Sequence, residues 1–369
     1  MKIECVKDKL VDVINRAEKI TGKNSTLPIL SGIFLEAKNN ELIVKSTNLD
    51  LGLEIKISVK IEQPGIVVVP GSILNSFITN LPQTKNIVLE TTEETIKVVT
   101  PHISTVIKTL NPDDFPTIPV LTQQDSKIFS IHSNDFVYGL KSVWYSSAVS
   151  SIKPELSSVY IHSENGSLVF TATDSFRLAE KKIHLKKTIE IPTLLIPIRN
   201  IPEIIRILEQ IKGEIKIIVN KNQIAFEDAN GLYLTSRIID GTFPDYKQII
   251  PKEAKTTVTL LKQDFISSLK TTTIFSDKFN KLSFSIYPGK KKFIITAQNP
   301  DVGESSNTLE AVCEGEDLNI NFNHKYISDS LSSIDADSIS LEFNGLSRPL
   351  VIRGINDHSF LYLVMPINK

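Results

Sequence analysis

The stretch KDKLVDVI at residues 7–14 has two counterparts further along the chain, NDFVYGL at residues 134–140 and KQDFISSL at residues 262–269. In each stretch, apolar residues recur three and four positions apart, the spacing of one face of an α-helix. The apolar anchors of the three stretches lie 126 and 129 positions apart and are Leu10, Phe136 and Phe265. Because each stretch follows a short strand-like run, the sequence predicts a strand leading into an amphipathic helix three times.

Two further landmarks recur at nearly the same interval. A polar turn that closes a strand lies 126 and then 125 positions apart, at Asn48, Asp174 and Asn299. A strand that leads into a second helix occurs three times and ends at Pro70, Pro197 and Asn323, which are separated by 127 and 126 positions. A period this long is that of a whole domain, since solenoid units span about 20–50 residues. The sequence therefore predicts three copies of one domain, at residues 1–124, 125–253 and 254–369.

Between the predicted helices the pattern is an alternation of apolar and polar residues, as at residues 54–61, 214–219 and 338–343. Alternation is typical of half-buried antiparallel strands. Hairpin turns are predicted at Asn39-Asn40, Asn165-Gly166 and Pro288-Gly289. Each copy is thus expected to contain about eight strands and two helices, an α+β architecture with helices on one face of the sheets.

Composition narrows the class of protein. The chain has 369 residues with 41 Lys+Arg against 42 Asp+Glu, so a formal net charge of −1 argues against gripping nucleic acid or membranes by bulk charge alone. No apolar run approaches the roughly 18 residues of a membrane span, and the charged N-terminus is unlike a signal peptide. Cys5 and Cys313 lie far apart in the sequence, so neither a disulfide framework nor a thiolate metal site is expected, and a cytoplasmic location fits best.

No catalytic grouping stands out. The six histidines are scattered singly, without metal-ligand spacing, and the VPGS sequence at residues 69–72 lacks the second glycine and the lysine of a phosphate-binding loop. Asp174-Ser175 suggests a hydrolase as one alternative, but a turn-forming role is favoured because the same turn recurs in all three copies. We therefore expect no catalytic residue, no metal and no cofactor. The predicted helices carry ten basic and eight acidic residues, which does not separate a nucleic-acid surface from ordinary solvated faces.

Four segments resemble the bacterial β sliding clamp family, the processivity subunit of DNA polymerase III. They are TLPIL at residues 26–30, ATDSFRLA at residues 172–179, DGTFPDY at residues 240–246 and LVMPI at residues 363–367. The resemblance covers the chain from end to end. It implies a head-to-tail homodimer whose six domains close a ring around duplex DNA, without catalytic activity. The implied partners are double-stranded DNA, the DNA polymerase III alpha subunit, the clamp loader and other proteins with a clamp-binding motif.

The resemblance also implies a pocket for partner peptides in the second and third domains. Its deep part comprises Leu156, Thr173, Ser175, Phe176, Arg177, Leu178, Pro244, Ile249, Leu363 and Met365. A shallower extension comprises Lys153, Asn323, Tyr326, Pro349, Pro366 and Ile367. Aliphatic side chains and methionine suit the apolar anchors of a partner tail, whereas plain core packing is the alternative for Leu178, Ile249 and Leu363. Phe176 and Gln248 depart from the commoner pattern of the family.

Two further surfaces follow from the resemblance. The dimer seam would join Thr105 and Ile107 of one subunit to Ile274 and Phe275 of the other. The candidate DNA contacts are Lys23, Asn24, Lys153, Arg199 and Arg206. The alternative within the same class is a non-enzymatic repeat scaffold that binds proteins without encircling DNA.

Overall fold

Six α-helices occur in the part of the chain that the computed structural model describes, namely residues 1–22, 26–82, 84–122, 126–150, 152–185 and 190–367. They are α1 (Lys7–Ile20), α2 (Gly71–Thr79), α3 (Ser133–Val143), α4 (Ile201–Leu208), α5 (Lys262–Thr272) and α6 (His324–Ser330). The three stretches quoted above form the first turns of α1, α3 and α5, as predicted. Every helix of the described residues is too short or too polar to cross a membrane.

Helix α1 shows why these segments are helical. Its buried side chains recur three and four positions apart and are Leu10, Val13, Ile14, Ala17 and Ile20. An ion pair at 2.8 Å joins the half-buried Arg16 to the exposed Asp12 one turn earlier. Burial of one apolar stripe against the strands at Glu41–Thr47 and Leu51–Ser58 stabilises the helix more than its intrinsic propensity does.

The described residues contain 26 strands, numbered in chain order. The first predicted repeat holds β1 (Lys2–Val6), β2 (Gly32–Lys38), β3 (Glu41–Thr47), β4 (Leu51–Ser58), β5 (Lys60–Gln63), β6 (Gly65–Pro70), β7 (Asn86–Thr91), β8 (Thr95–Val99) and β9 (Ser104–Lys108). The second holds β10 (Lys127–His132), β11 (Ser158–Glu164), β12 (Ser167–Thr173), β13 (Arg177–His184), β14 (Leu194–Pro197), β15 (Glu214–Val219), β16 (Gln223–Glu227) and β17 (Leu232–Arg237). The third holds β18 (Thr256–Leu261), β19 (Lys281–Tyr287), β20 (Lys292–Asn299), β21 (Gly303–Leu309), β22 (Val312–Gly315), β23 (Leu318–Asn323), β24 (Ser338–Phe343), β25 (Leu350–Gly354) and β26 (Phe360–Val364).

The described chain divides into two compact units, and the first consists of Met1–Asn134 and Arg199–Ile238. It contains a five-stranded sheet in the order β5-β1-β7-β8-β9 and an eight-stranded sheet in the order β10-β15-β16-β17-β4-β3-β2-β6. Antiparallel pairing of β17 with β4 makes the larger sheet continuous from the first predicted repeat into the second.

The second unit consists of Asp135–Ile198 and Ile239–Lys369. Its nine-stranded sheet has the order β14-β11-β12-β13-β26-β25-β24-β18-β22, and its four-stranded sheet has the order β21-β20-β19-β23. Antiparallel pairing of β13 with β26 joins the second predicted repeat to the third. The candidate site lies where the start of β13 meets the end of β26.

The hairpin predictions agree with the backbone at the first two positions. Asn39 and Asn40 both have positive φ, 53° and 62°, and so do Asn165 and Gly166, at 47° and 75°. Two successive left-handed residues give the tight turn whose twist matches antiparallel strands. The third hairpin differs, because Pro288–Lys290 form a short 3₁₀ turn and the left-handed residue follows it.

Candidate functional site

The turn between β12 and β13 forms one edge of the candidate site. The Asp174 side chain accepts hydrogen bonds from the backbone N–H groups of Phe176 at 2.9 Å and Arg177 at 3.0 Å. The Thr173 hydroxyl donates to the Arg177 carbonyl at 2.7 Å and accepts from the Ser175 N–H at 3.2 Å. Ser175 has φ 78°, a left-handed conformation that non-glycine residues rarely adopt. The turn leaves the Phe176 side chain 61% exposed.

The end of β26 lies beside this turn. Register places Leu363 directly opposite Leu178 in the β13–β26 pair. One residue past the strand, the Met365 N–H donates to the Phe176 carbonyl oxygen at 2.7 Å. Residues 178 and 363, which are 185 positions apart in sequence, are therefore buried neighbours beneath one apolar surface.

That surface has a buried floor and an exposed rim. Leu156, Leu178 and Leu363 are buried in one cluster, together with Leu195, Phe243, Tyr246, Val351 and Leu361. The rim is exposed and is formed by Phe176, Pro244, Ile249 and Met365. The structure thus brings together Leu156, Leu178 and Leu363 of the predicted deep part. The burial of Leu178 and Leu363 agrees with the core-packing alternative, whereas Ile249 is exposed.

The loop after Ile239 closes one side of this cluster. Phe243 stacks on Tyr160 with ring centroids 4.7 Å apart, and the Tyr246 hydroxyl donates to the Glu180 carboxylate. Burial, reinforced by Glu180, raises the pKa of Tyr246 above its ordinary value. The Gln248 side chain donates to Asp245 at 2.8 Å, so it is held within the loop.

Arg177 has partners inside the chain. Its guanidinium lies 2.9 Å from Asp174 and 2.6 Å from Asp329, and it stacks over the Tyr326 ring at 4.4 Å. Burial acts to lower the pKa of Arg177, but Tyr362 and the two carboxylates outweigh it, and the pKa lies above its ordinary value. Arg177 therefore ties the turn to α6 and positions the site.

The residues of the predicted shallower extension fall into two groups. Asn323 and Tyr326 are held by the fold: the Asn323 side chain accepts from the Lys325 N–H at 3.0 Å, and the Tyr326 carbonyl accepts from the Tyr362 hydroxyl at 2.7 Å. The other positions follow strand ends or turns, where Pro349 is buried, Pro366 and Ile367 are half-buried and Lys153 is exposed.

Three of the five candidate DNA contacts, Lys153, Arg199 and Arg206, lie in the described part of the chain. Arg199 pairs with Asp50 at 3.2 Å, and Arg206 pairs with Glu203 at 2.8 Å on the exposed side of α4. Lys23 and Asn24 lie outside the described residues. Lys153 belongs to an exposed turn, where its carbonyl accepts from the Leu156 N–H at 3.0 Å.

The candidate seam residues lie next to open sheet edges. Thr105 and Ile107 are on β9, an edge strand of the first unit, and Ile274 and Phe275 follow α5 in the second unit. Ile274 is 68% exposed, whereas Ile107 is only 6% exposed and faces its own core. The exposed apolar residue of β9 is its neighbour Val106, at 59%.

The sequence pattern did not predict a second apolar face on α2. Leu74 and Ile78 are buried, yet Ile73 on the other side of the helix is 54% exposed. A cavity of about 630 Å³ lies here, lined by Ser72, Ile73, Ser76, Phe77, Asn80, Leu81 and Ile103. A short helix that is apolar on two faces is a signal for a second packing partner, and the GSILNSFIT sequence contains it.

The arrangement of side chains suits apolar binding rather than catalysis. The Asp174 carboxylate is used by the turn and by Arg177, so it is not poised to activate Ser175. Across the described residues, no group of three or more His, Cys, Asp or Glu side chains is placed to hold a metal ion. An apolar floor with an exposed aromatic and methionine rim is suited to the apolar side chains of a peptide.

The sheets and helices, repeated along the chain, together with this apolar cluster and its exposed rim are typical of the DNA-clamp class. Family models of the DNA polymerase III beta subunit match three successive parts of this chain. The N-terminal domain model matches residues 1–119, the central domain model matches residues 130–245 and the C-terminal domain model matches residues 247–368. The chain therefore belongs to the DNA polymerase III beta subunit family.

Individual relatives match this chain over nearly their whole length. A beta sliding clamp of Staphylococcus epidermidis is 27% identical, with 100% of this chain and 99% of the relative covered. The solved DNA polymerase sliding clamp of Bacillus subtilis is 25% identical, covers 100% of this chain and 99% of its own, and has a TM-score of 0.94. The DNA polymerase III beta subunit of Thermotoga maritima is 26% identical over 100% of this chain and 99% of its own, with a TM-score of 0.92.

Proposed function

We propose that the protein is a DNA sliding clamp that encircles duplex DNA and tethers the replicative polymerase and other DNA-processing proteins. The observation that carries this proposal is the end-to-end agreement in fold with solved sliding clamps, at a TM-score of 0.94. The experiment that tests it is retention on circular DNA with release on linearisation, because only a topological link distinguishes these two substrates.

Ring closure requires two subunits in a head-to-tail arrangement. The five-stranded sheet of the first unit ends in β9, and the four-stranded sheet of the second unit ends in β21. Unpaired edges invite pairing with another chain, and joining β9 of one subunit to β21 of the other would satisfy both. The contact is heterologous, and a two-fold repetition of it closes a ring.

Side chains next to the two edges are complementary. Exposed Lys97 and Lys108 lie on β8 and β9, whereas Glu304 lies on β21 and Glu310 just after it. The apolar cavity beside α2, which Ile103 also lines, is suited to receive Ile274 and Phe275 of the second subunit, where Ile274 is 68% exposed and Phe275 is half-buried. Opposite charges around an apolar centre favour one orientation of the partner.

DNA would be held by enclosure rather than by tight ionic contact. Each phosphate contact adds salt-dependent affinity, and a strong set of contacts opposes sliding. The internal ion pairs of Arg199 and Arg206 moderate the positive charge that these residues present. A formal net charge of −1 is compatible with this mode of binding.

Partner proteins would dock in the groove over Leu156, Leu178 and Leu363. The expected occupants are short apolar motifs of the DNA polymerase III alpha subunit, the clamp loader and other clamp-binding proteins. The exposed rim stabilises a bound peptide by removing apolar surface from water, about 25 cal/mol for each Å², and the buried floor holds the rim in place. We propose that the protein works without catalysis, in the bacterial cytoplasm where chromosomal DNA is copied.

A further inference from the structure

The first unit repeats the turn that forms the candidate peptide groove of the second unit. The Asn48 side chain accepts hydrogen bonds from the N–H groups of Asp50 at 3.0 Å and Leu51 at 2.8 Å. Leu49 has φ 76°. These are the contacts and the backbone conformation of the Asp174 turn. The first unit therefore has a geometric counterpart of one edge of the groove.

The second edge is repeated as well. The Arg237 N–H donates to the Asp50 carbonyl at 2.9 Å, just as the Met365 N–H donates to the Phe176 carbonyl at 2.7 Å. Arg237 thus occupies the position of Met365, and Asp50 occupies the position of Phe176. Both exchanges replace an apolar side chain by a charged one.

The apolar floor is absent from this counterpart. Register places Thr235 opposite Gly52, where the second unit has Leu363 opposite Leu178. A Cβ atom on Gly52 would lie 2.7 Å from the Cγ2 atom of Ile118, so Ile118 fills the space that a leucine would need. A partner peptide with apolar anchors therefore has no floor to bind here.

A cavity of about 490 Å³ remains beside this filled floor. Its lining residues are Pro119, Asn220, Asn222, Gln223, Arg237 and Ile238. Arg237 pairs with Gln223 across the β16–β17 ladder, so a guanidinium and an amide belong to one wall. Three amide side chains and one guanidinium match the hydrogen-bonding groups of an extended peptide that carries carboxylates.

The walls of the cavity are held in place. The Tyr233 hydroxyl donates to the Pro119 carbonyl at 3.0 Å. The Asn220 side chain accepts from the N–H groups of Asn222 at 2.9 Å and Gln223 at 2.8 Å. The Ile238 N–H donates to the Asn222 carbonyl at 3.0 Å. A cavity with fixed walls loses little conformational entropy when a ligand enters.

The charge of the cavity favours an anion. Asp50, the acidic residue of the repeated turn, is paired with Arg199 at 3.2 Å. The Arg237 guanidinium has no carboxylate within ion-pair distance in the part of the chain that the structure describes. Arg237 therefore offers a free bidentate partner for a carboxylate.

We propose that this cavity is a second peptide-docking site, which takes an acidic segment of a partner protein instead of an apolar one. Each subunit then offers two related sites of opposite chemistry. The inference stands on the first unit alone and does not require DNA to be encircled.

Fluorescence anisotropy of the full chain tests this site with a labelled Gly-Glu-Ser-Glu-Gly-Glu peptide and a matched peptide in which glutamine replaces glutamate. We expect binding of the glutamate peptide only, weakened by added salt. Arg237→Gln should lower its affinity by about tenfold, whereas Lys60→Gln, which removes an exposed charge elsewhere in the same unit, should not. Side-chain amide signals of Asn222 and Gln223 should shift on titration.

Three results would overturn the proposal. They are no binding of the glutamate peptide at low salt, equal binding by the Arg237→Gln variant, and loss of binding in Met365→Ala, which would put the acidic peptide in the other groove. Because apolar clamp-binding peptides report on that other groove, failure here is distinguishable from failure of the proposed function.

Discussion

The Met365 N–H donates to the Phe176 carbonyl oxygen at 2.7 Å, which places two exposed side chains, 37% and 61% accessible, on one rim above a floor of buried leucines. Rim and floor residues are expected to contribute to the protein in different ways, because the floor is packed in the core whereas the rim is exposed. This difference gives the first prediction.

Met365→Ala should weaken binding of an apolar clamp-binding peptide while leaving the free energy of unfolding within about 0.5 kcal/mol of the original. Leu178→Ala should lower the free energy of unfolding by roughly 2–5 kcal/mol, since its side chain is fully enclosed. Urea denaturation and peptide titration of both variants measure the two effects. Equal destabilisation by the two changes would contradict the division into rim and floor.

The seam gives the second prediction. Ile274→Ala combined with Phe275→Ala should yield monomers, because burial of two apolar side chains at a dimer interface contributes roughly 2–4 kcal/mol each. Light scattering should then give half the dimer mass. The matched control is Phe176→Ala with Ile249→Ala, which removes an exposed aromatic and an exposed isoleucine from the groove and should leave a dimer. A dimer mass for both double variants would show that the dimer seam lies at other residues.

Charge on the predicted DNA-facing elements gives the third prediction. Replacing Lys23, Arg199 and Arg206 with alanine should slow loading onto circular DNA and reduce the salt dependence of DNA association. Replacing Lys38, Lys60 and Lys292, which lie on exposed strand positions, removes the same charge and should leave the rate of loading unchanged. An unchanged rate in the first variant would exclude those residues from the DNA path.

His162 gives a prediction for pH dependence. Its ring stacks on Tyr160 at 4.7 Å, and burial lowers its pKa despite the opposing effect of Glu164, with Lys247, Glu180 and Lys182 also facing it. A lowered pKa in the folded state means that the neutral ring is preferred there. The contribution of the neutral His162 ring to the free energy of unfolding is fully present above about pH 6.5, the ordinary pKa of histidine. It is lost as the pH falls through the lowered pKa of the folded state.

Urea denaturation at pH 7.5 and pH 5.5 measures this loss. The His162→Gln variant should lose less free energy of unfolding between the two pH values than the original chain does. Any contribution of His324, whose pKa burial also lowers, is common to both proteins and cancels in the comparison. An identical loss in both would show that His162 is not responsible.

Local features were predictable from the sequence because they depend on neighbouring residues. The helices follow from apolar spacing, and the turns at Asn48 and Asp174 follow from side chains that bond their own backbone. Leu156, Leu178 and Leu363 were expected to share a pocket through the family resemblance, and the structure places them in one cluster. The assignment of a peptide to that cluster remains a prediction.

Long-range features were not predictable in the same way. Nothing in the local pattern indicates that Arg177 would bind Asp329, which is 152 positions away, or that β4 would pair with β17. The face of a strand is also ambiguous where two apolar residues are adjacent. In the STVIK sequence of β9, Ile107 rather than Val106 enters the core, so the exposed residue beside the predicted seam is Val106.

A protein that holds DNA by surrounding it stays on a closed circle and slides off a free end, so retention on nicked circular DNA is the decisive measurement. After loading, the labelled protein should stay with the circle through gel filtration in high salt and should leave when one restriction cut linearises it. Equal retention on circular and linear DNA, or complete loss from the circle as salt is raised, would contradict encirclement and favour a scaffold that binds other proteins without enclosing DNA.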